Sequence, residues 1–388
     1  MATERLYYGD SHLRVFTATV LSCSEDDGRY PVTLDRTAFF PEGGGQAGDV
    51  GTLGGAAVLD TRERDGVVVH CCSAPLIPGE TVTGVLDWET RFARMQVHSA
   101  EHIVSGTAHA LWGCENVGFH MTEDGAVLDF DRELSGEQVR ELERRANGRV
   151  WENLEIRAFF PSPAELAGLS FRQKKELDGD VRLVEIPGVD LCACCAPHVK
   201  RTGEIGLIRI LDAMRHRGGM RLTMLAGRSA WRDAAAQGES AAALSRLFSA
   251  PRDQLVAAAE QRARELEAGK AAMVSMERRY TALLAETAPA TEGDLLFFLP
   301  EGLSAAAMRE LAQAGSEKCG GICAVFAGDD ETGRRYVMAS RSADLRQRGR
   351  ELNAALRGRG GGAAGMIQGG AQADRRTIEE AFHGEIVG

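Results

Sequence analysis

Two pairs of metal-ligating residues with the same internal spacing stand far apart in the chain: His98-Ser99-Ala100-Glu101-His102 and Cys194-Cys195-Ala196-Pro197-His198. On a helix, positions i and i+4 project from one face, so His98 and His102 can reach one ion. A thiolate with an imidazole is a borderline-soft donor pair that suits Zn²⁺. A fold that uses all four must bring two remote segments together, which excludes most arrangements of the chain. Two readings compete with a shared site. The histidines can be unrelated core or surface residues, or the ion can merely staple the helix to the following loop. Cys192, Cys194 and Cys195 crowd the second segment, and the Cys192-Ala193-Cys194 spacing is tight for two ligands to one tetrahedral ion. Cys194 is the expected ligand because it keeps the four-residue offset from His198. A ligand swap with Cys192 or Cys195 stays open.

The first pair also reads His-x-x-Glu-His, the inverted zinc-protease pattern, in which Glu101 would be the general base. Such a site takes two histidines and a distant glutamate, so the Cys/His pair would be superfluous. Glu101 is also a possible catalytic base outside the protease reading; on the helix it flanks the histidine face or points away from it, and a solvated helix residue is the plain alternative.

Phe39-Phe40-Pro41-Glu42-Gly43-Gly44-Gly45-Gln46 is the third feature. Its glycines let backbone amides approach a ligand closely and adopt positive φ. Gln46 adds a neutral donor and acceptor able to read a hydroxyl or carbonyl. A tight barrel turn explains the glycines equally well.

At 388 residues the chain has room for two or three domains. Short strands at residues 13–21, 67–69 and 81–86, punctuated by glycines, predict a small barrel or sandwich, with a β-barrel over 1–88 the expected form. From residue 89 the period changes. A helix is predicted to about 112 and a second after the capping box Ser135-Gly136-Glu137-Gln138, with strands near 155–160, 181–186 and 206–211. Residues 89–228 thus form an α+β zinc-binding block. Residues 229–288 are rich in Ala, Arg, Glu and Leu and predict a helical hairpin arm, Pro251 suiting the first turn of its second helix. Leu266, Met273 and Tyr280, with Met276 and Leu283, make a seam that Arg262 and Gly269 spoil, so an extended coiled coil is not required. Residues 289–388 alternate strands at 295–299, 323–326 and 336–339 with helices at 305–314 and 344–356, an α/β layer. Glycine-rich loops are expected at 357–362 and 368–370. The fold class is α+β.

Hydrophobic residues make up 44% of the chain and charged residues 26%, a composition able to bury ordinary cores. Nine cysteines, an odd count in a long chain, argue for reduced thiols over a disulfide scaffold. No stretch approaches a membrane span, and residues 1–10 lack a signal-peptide pattern, so a cytoplasmic location is expected. A net charge of −11 disfavours indiscriminate coating of nucleic acid but permits a local basic face for one folded RNA.

Taken in order, residues 37–51, 98–102, 116–120 and 194–206 resemble the editing domain of alanyl-tRNA synthetase, and above all its free-standing relatives of the AlaX type. Gly360-Gly361-Gly362 with Gln368-Gly369-Gly370 resembles the DHH-associated domain of the long AlaX form. The resemblance covers nearly the whole chain, and nothing in it resembles an aminoacylation core. It implies an aminoacyl-tRNA (carboxylic ester) hydrolase that removes serine, and often glycine, from mischarged tRNA(Ala) while sparing Ala-tRNA(Ala). It implies His98, His102, Cys194 and His198 as zinc ligands, Gly44, Gly45 and Gln46 beside the terminal adenosine and the ester, and Thr37 as a contact for the serine hydroxyl. Where synthetases carry Cys-Gly-Gly-Thr-His, this chain has Cys194-Cys195-Ala196-Pro197-His198, which keeps both ligands and changes the loop between them.

Candidate tRNA contacts are Arg172, Lys174 and Lys175; Lys200 and Arg201; Arg215, Arg217 and Arg221; and, best of all, Arg346, Arg348, Arg350, Arg357 and Arg359 beside Gly360, Gly361 and Gly362. The arm and the glycine-rich end are compatible with a homodimer. A tRNA-binding adaptor with a structural zinc is the alternative from another class. A threonyl-tRNA-type editing module shares the zinc pattern, but the C-terminal block argues for alanine tRNA.

Overall fold

The computed structural model describes residues 3–173 and 180–387; Lys174 and Lys175 lie outside them. The chain divides into two compact units, Met1–Ala243 and Leu244–Gly388.

In the first unit, six strands close a barrel in the order Val15–Cys23, Tyr30–Leu34, Val67–Cys72, Ala56–Arg64, Gly51–Leu53, Thr81–Leu86. Thr81–Leu86 alternates exposed and buried residues without a break, the period-two signature of a half-buried strand. Phe16, Val20, Leu34, Leu53 and Val58 fill the interior.

Helix α1, Trp88–Trp112, follows directly. Asp87 caps it by accepting from the Thr90 amide, and Gly113 in the left-handed conformation ends it. From Val97 to Ala108 α1 is buried throughout, because elements cover it on several sides. An antiparallel sheet runs Ile208–His216, Gly219–Ala226, Gly125–Phe130, Asn116–Met121. A smaller one runs Arg157–Phe159, Leu183–Ile186, Asp190–Ala193. Helix α2, Gly136–Trp151, starts at the expected capping box of Ser135 and Gln138. Gly106 lets the last strand of the small sheet press onto α1: a Cβ there would sit 2.4 Å from the Val189 carbonyl oxygen and 2.8 Å from Asp190 Cβ. That approach sets Asp190 against His102, one helical turn away.

The second unit is built on a mixed six-stranded sheet in the order Arg359–Ala363, Met366–Ala371, Gly333–Ala339, Cys323–Asp329, Asp294–Leu299, Gly384–Val387. Phe297, Leu299 and Val325 face the helix Ala305–Gly315 through Met308 and Leu311. Leu296, Phe326 and Tyr336 face the helices Leu345–Ala355 and Arg375–Glu380 through Leu352 and Ile378. The glycine-rich segments expected as loops are strands. Gly360 and Gly369 pass so close to the Tyr336 hydroxyl that a Cβ at either would lie within 2.7 Å of it. Glycine here permits tight strand packing.

Two long helices, Arg228–Phe248 and Leu255–Thr287, occupy the segment expected to be helical. Pro251 stands just ahead of a short 3₁₀ turn, Arg252–Gln254, that leads into the second helix. The seam residues Leu266, Met273, Met276, Tyr280 and Leu283 are exposed. No helix among the described residues is long and apolar enough to cross a membrane.

Candidate metal centre

His98 and His102 leave the buried face of α1, while Cys194 and His198 arrive on the loop that follows the strand Asp190–Ala193. The four ligand atoms lie within 4.8 Å of one another. Cys194 Sγ is 3.6 Å from His98 Nε2 and 3.4 Å from His198 Nε2. A tetrahedral ion with ordinary metal–sulfur and metal–nitrogen lengths needs edges of about 3.4–3.6 Å, so the set fits one ion.

Each ring is turned by a partner on its other nitrogen. His98 Nδ1 meets Gln46 Oε1 at 3.0 Å, His102 Nδ1 meets Asp190 Oδ2 at 2.9 Å, and His198 Nδ1 meets Ser99 Oγ at 3.1 Å. Both the amide oxygen of Gln46 and the Asp190 carboxylate are acceptors. The Nδ1 protons of His98 and His102 therefore point to them, and the Nε2 lone pairs face Cys194. Metal-ligating histidines are oriented this way. Arg172 grips Asp190 in turn, at 2.7 and 2.8 Å. Burial would raise the Cys194 thiol, but the interactions with the surrounding rings of His98, His198 and His102 outweigh it and hold it well below the usual thiol range. That favours the thiolate a metal requires. Cys192 is buried beside Asp190 and His102, and Cys195 is exposed at the cleft.

The glycine turn closes over this set. Gly44 and Gly45 have φ of +61° and +82°. A Cβ on Gly44 would enter the space between Cys195 Sγ, at 3.7 Å, and His98 Cε1, at 4.0 Å. Gly45 rests on Phe119, and its carbonyl accepts from the Met121 amide at 3.2 Å. Gln46 is 1% exposed, and its Nε2 has no partner among the described residues, so a buried donor is left for a ligand. Behind the turn, Arg91 on α1 is buried with Asp49 at 2.5 Å and also donates to the Ser11 and Ala38 carbonyls. This lock fixes the segment carrying the turn against the helix carrying the histidines.

Glu101 is fully buried, which removes the solvated reading. Its Oε1 accepts from Ser105 Oγ at 2.7 Å and Asn116 Nδ2 at 2.6 Å, and its Oε2 lies 3.8 Å from His102 Nε2. Asn116 Oδ1 then takes the Gly118 amide, at the wall of the cleft. Thr37 lies elsewhere. Its hydroxyl donates to His70 Nε2 at 2.8 Å and accepts from the Phe39 amide, at the barrel core, and it does not line the cleft. That cleft, of about 560 Å³, is lined by Gly44, Gly45, His98, His102 and Cys194 together with Tyr8, Val117, Phe119, Phe160 and Arg182.

Of the remaining candidates, Lys200 pairs with Asp10, Arg215 with Glu133, Arg221 with Asp129, Arg346 with Asp344 and Arg348 with Glu351. Gly360, Gly361 and Gly362 form an exposed edge strand with Arg359. Sequence reasoning missed Asp190, Ser99 and Arg91. No local sequence pattern marked any of the three.

A barrel, a buried His₃Cys set and a glycine turn beside one cleft make up the candidate site. The model of the family described as the threonyl and alanyl tRNA synthetase second additional domain matches residues 181–225, the stretch that supplies Cys194 and His198. The chain is 34% identical over 217 residues to the alanyl-tRNA editing protein AlaX-L of Pyrococcus horikoshii, a match covering 54% of each protein. It is 27% identical to the alanyl-tRNA editing protein Aarsd1 of Rattus norvegicus, over 95% of this chain and 94% of that one. Against the alanine–tRNA ligase of Ignicoccus hospitalis identity is 30% over 75% of this chain, and the match spans only 33% of the ligase. The chain is thus similar to alanyl-tRNA editing proteins, and it spans about half the length of AlaX-L.

Proposed function

We propose that this protein is a trans-editing hydrolase that cleaves the ester of Ser-tRNA(Ala), with Gly-tRNA(Ala) as a second substrate, and spares Ala-tRNA(Ala). The observation that carries the reading is the convergence of three imidazoles and one thiol at a cleft lined by a glycine turn, next to a buried amide donor with no partner among the described residues.

The chemistry answers a recognition problem. A pocket shaped for alanine cannot strongly reject a molecule that adds a hydroxyl, since such isosteres differ by about 1–3 kcal/mol. A second, hydrolytic site can instead require the hydroxyl: a buried polar group left unpaired by alanine penalises its binding. Gln46 Nε2, buried and without a partner among the described residues, is the group we assign to exact that penalty. The backbone of Gly44 and Gly45 lines the same space, and the ribose hydroxyl next to the ester completes the water-positioning set. Thr37 supports this arrangement from the barrel through His70 and Phe39.

His98, His102, Cys194 and His198 would hold Zn²⁺, which supplies a fixed positive charge able to polarise or anchor the aminoacyl group. Four protein ligands fill a tetrahedral shell, so the ion's main service is to order the pocket. Glu101 holds Asn116, and through it the Gly118 amide, as a brace for the cleft wall. That role, and the occupation of the remaining ligand positions by Cys194 and His198, weigh against the protease. Arg346, Arg348, Arg350 and the exposed strand with Arg359, Gly360, Gly361 and Gly362 are the proposed contacts for tRNA phosphates. A second copy of the chain is a further partner.

The test is a deacylation panel of Ser-, Gly- and Ala-tRNA(Ala) with catalytic amounts of protein. Repeated turnover of the first two and survival of the third is expected. Stoichiometric binding without hydrolysis would favour the adaptor.

A further inference from the structure

Glu101 serves the brace of the cleft wall with one oxygen only. Its Oε1 takes the hydrogen bonds of Ser105 and Asn116, and Asn116 Nδ2 also donates to Ser105 Oγ at 2.8 Å. Its Oε2 is turned toward the ligand set, 3.8 Å from His102 Nε2, the nitrogen that faces Cys194. Two carboxylates thus flank one imidazole, Asp190 on the Nδ1 side and Glu101 on the Nε2 side, with side chains 2% and 1% exposed. Asp190 carries Arg172 on its two oxygens. Glu101 is not among the residues that line the cleft, so what it does there it does through the ligands and not by touching substrate.

We propose that Glu101 is the counter-charge of the metal centre: its carboxylate, outside the ligand set, brings the buried site to neutrality around a divalent ion. The proposal rests on the Zn²⁺ assignment within the editing reading and deepens it. Three neutral imidazoles and one thiolate offer a dication a single negative charge, which leaves one positive charge in excess. Enclosing a net charge in a protein interior is costly. Asp190 does not offset it, because Arg172 balances that carboxylate. Glu101 supplies the second negative charge, on the same helix as His98 and His102 and next to the latter. The same donors around a soft monocation such as Cu⁺ would be neutral without it, so the carboxylate biases the centre toward a dication. Attraction between charges strengthens where the dielectric is low, and salt screens buried charges little. One residue behind the ligands can therefore set much of the affinity. Glu101 is a positioning residue for the ion, and its contribution appears in metal binding.

Glu101→Gln keeps the shape and the oxygen that accepts from Ser105 and Asn116, and removes only the charge. In competition with a chelator, the Zn²⁺ affinity of the intact protein should fall about 10- to 100-fold, the range for groups just outside a ligand shell. The visible spectrum of the Co²⁺-substituted variant should match that of wild type, because all four ligands stay in place. Ser105→Ala is the converse. It takes one hydrogen bond from the brace, leaves the charge, and should bind Zn²⁺ like wild type. Equal affinity in wild type and Glu101→Gln would overturn the proposal. So would a loss in Ser105→Ala as large as that in Glu101→Gln, or a changed Co²⁺ spectrum. The readout does not depend on hydrolysis. Failure of the editing reading would show separately, as charge-dependent Zn²⁺ binding by a protein that does not deacylate Ser-tRNA(Ala).

Discussion

His102 Nδ1 lies 2.9 Å from Asp190 Oδ2, and that bond decides which nitrogen of the ring faces Cys194. Orienting carboxylates of this kind are worth 10- to 100-fold in metal affinity. Asp190→Ala should weaken zinc binding by about that factor in a chelator competition. Asp190→Asn, which keeps an acceptor oxygen, should lose less. Unchanged affinity in both variants would mean that His102 is held in place by packing alone.

Gly45 has φ of +82°, and a Cβ there would lie 2.8 Å from a ring carbon of Phe119 and 2.9 Å from its carbonyl oxygen. Gly45→Ala should cost at least the about 1–3 kcal/mol of a strained backbone and push the turn off Phe119. Gly55 also has positive φ, at +89°, but faces open space. Gly55→Ala is the control, and denaturant unfolding should show the larger loss at Gly45.

Asp49 and Arg91 are each 1% exposed and joined at 2.5 Å. Asp49→Ala strands a buried guanidinium, and breaking such a pair from one side costs about 3–5 kcal/mol. Thermal and denaturant melts should show it. A loss under 1 kcal/mol would mean that the Ser11 and Ala38 carbonyls suffice for Arg91.

Burial in the barrel pulls His70 down to about 4 from an ordinary 6.5, even though its hydrogen bond to the Val32 carbonyl favours the charged form. The folded protein therefore keeps His70 neutral where the unfolded chain takes up a proton. The stability this contributes is complete above about pH 6.5 and is lost as pH falls toward 4. At about 1.4 kcal/mol per pH unit, the loss at pH 5 is about 2 kcal/mol. Unfolding free energies of wild type and His70→Gln at pH 7.5 and pH 5 should diverge accordingly. Parallel pH profiles would contradict this.

Much of the site was legible because its ligands obey local geometry. The i, i+4 spacing of His98 and His102 needs only a helix, and the period from residue 89 to 112 supplied one that the structure gives as Trp88–Trp112. The same offset in Cys194 and His198 singled out Cys194 among three thiols, and its Sγ faces the imidazoles. What orients the rings was not legible. Asp190 reaches His102 across a sheet-to-helix contact that Gly106 alone makes possible, and no local pattern marks such a pairing. The strands Arg359–Ala363 and Met366–Ala371 were hidden for the opposite reason. Glycine signals turns by propensity, and only the nearby Tyr336 hydroxyl shows why a strand needs it there.

The most direct test of the account is zinc content and Ser-tRNA(Ala) deacylation measured on the same samples of wild type and Cys194→Ala. The account predicts one zinc per chain in wild type, and joint loss of metal and hydrolysis in the variant. Full activity in metal-free Cys194→Ala would contradict it.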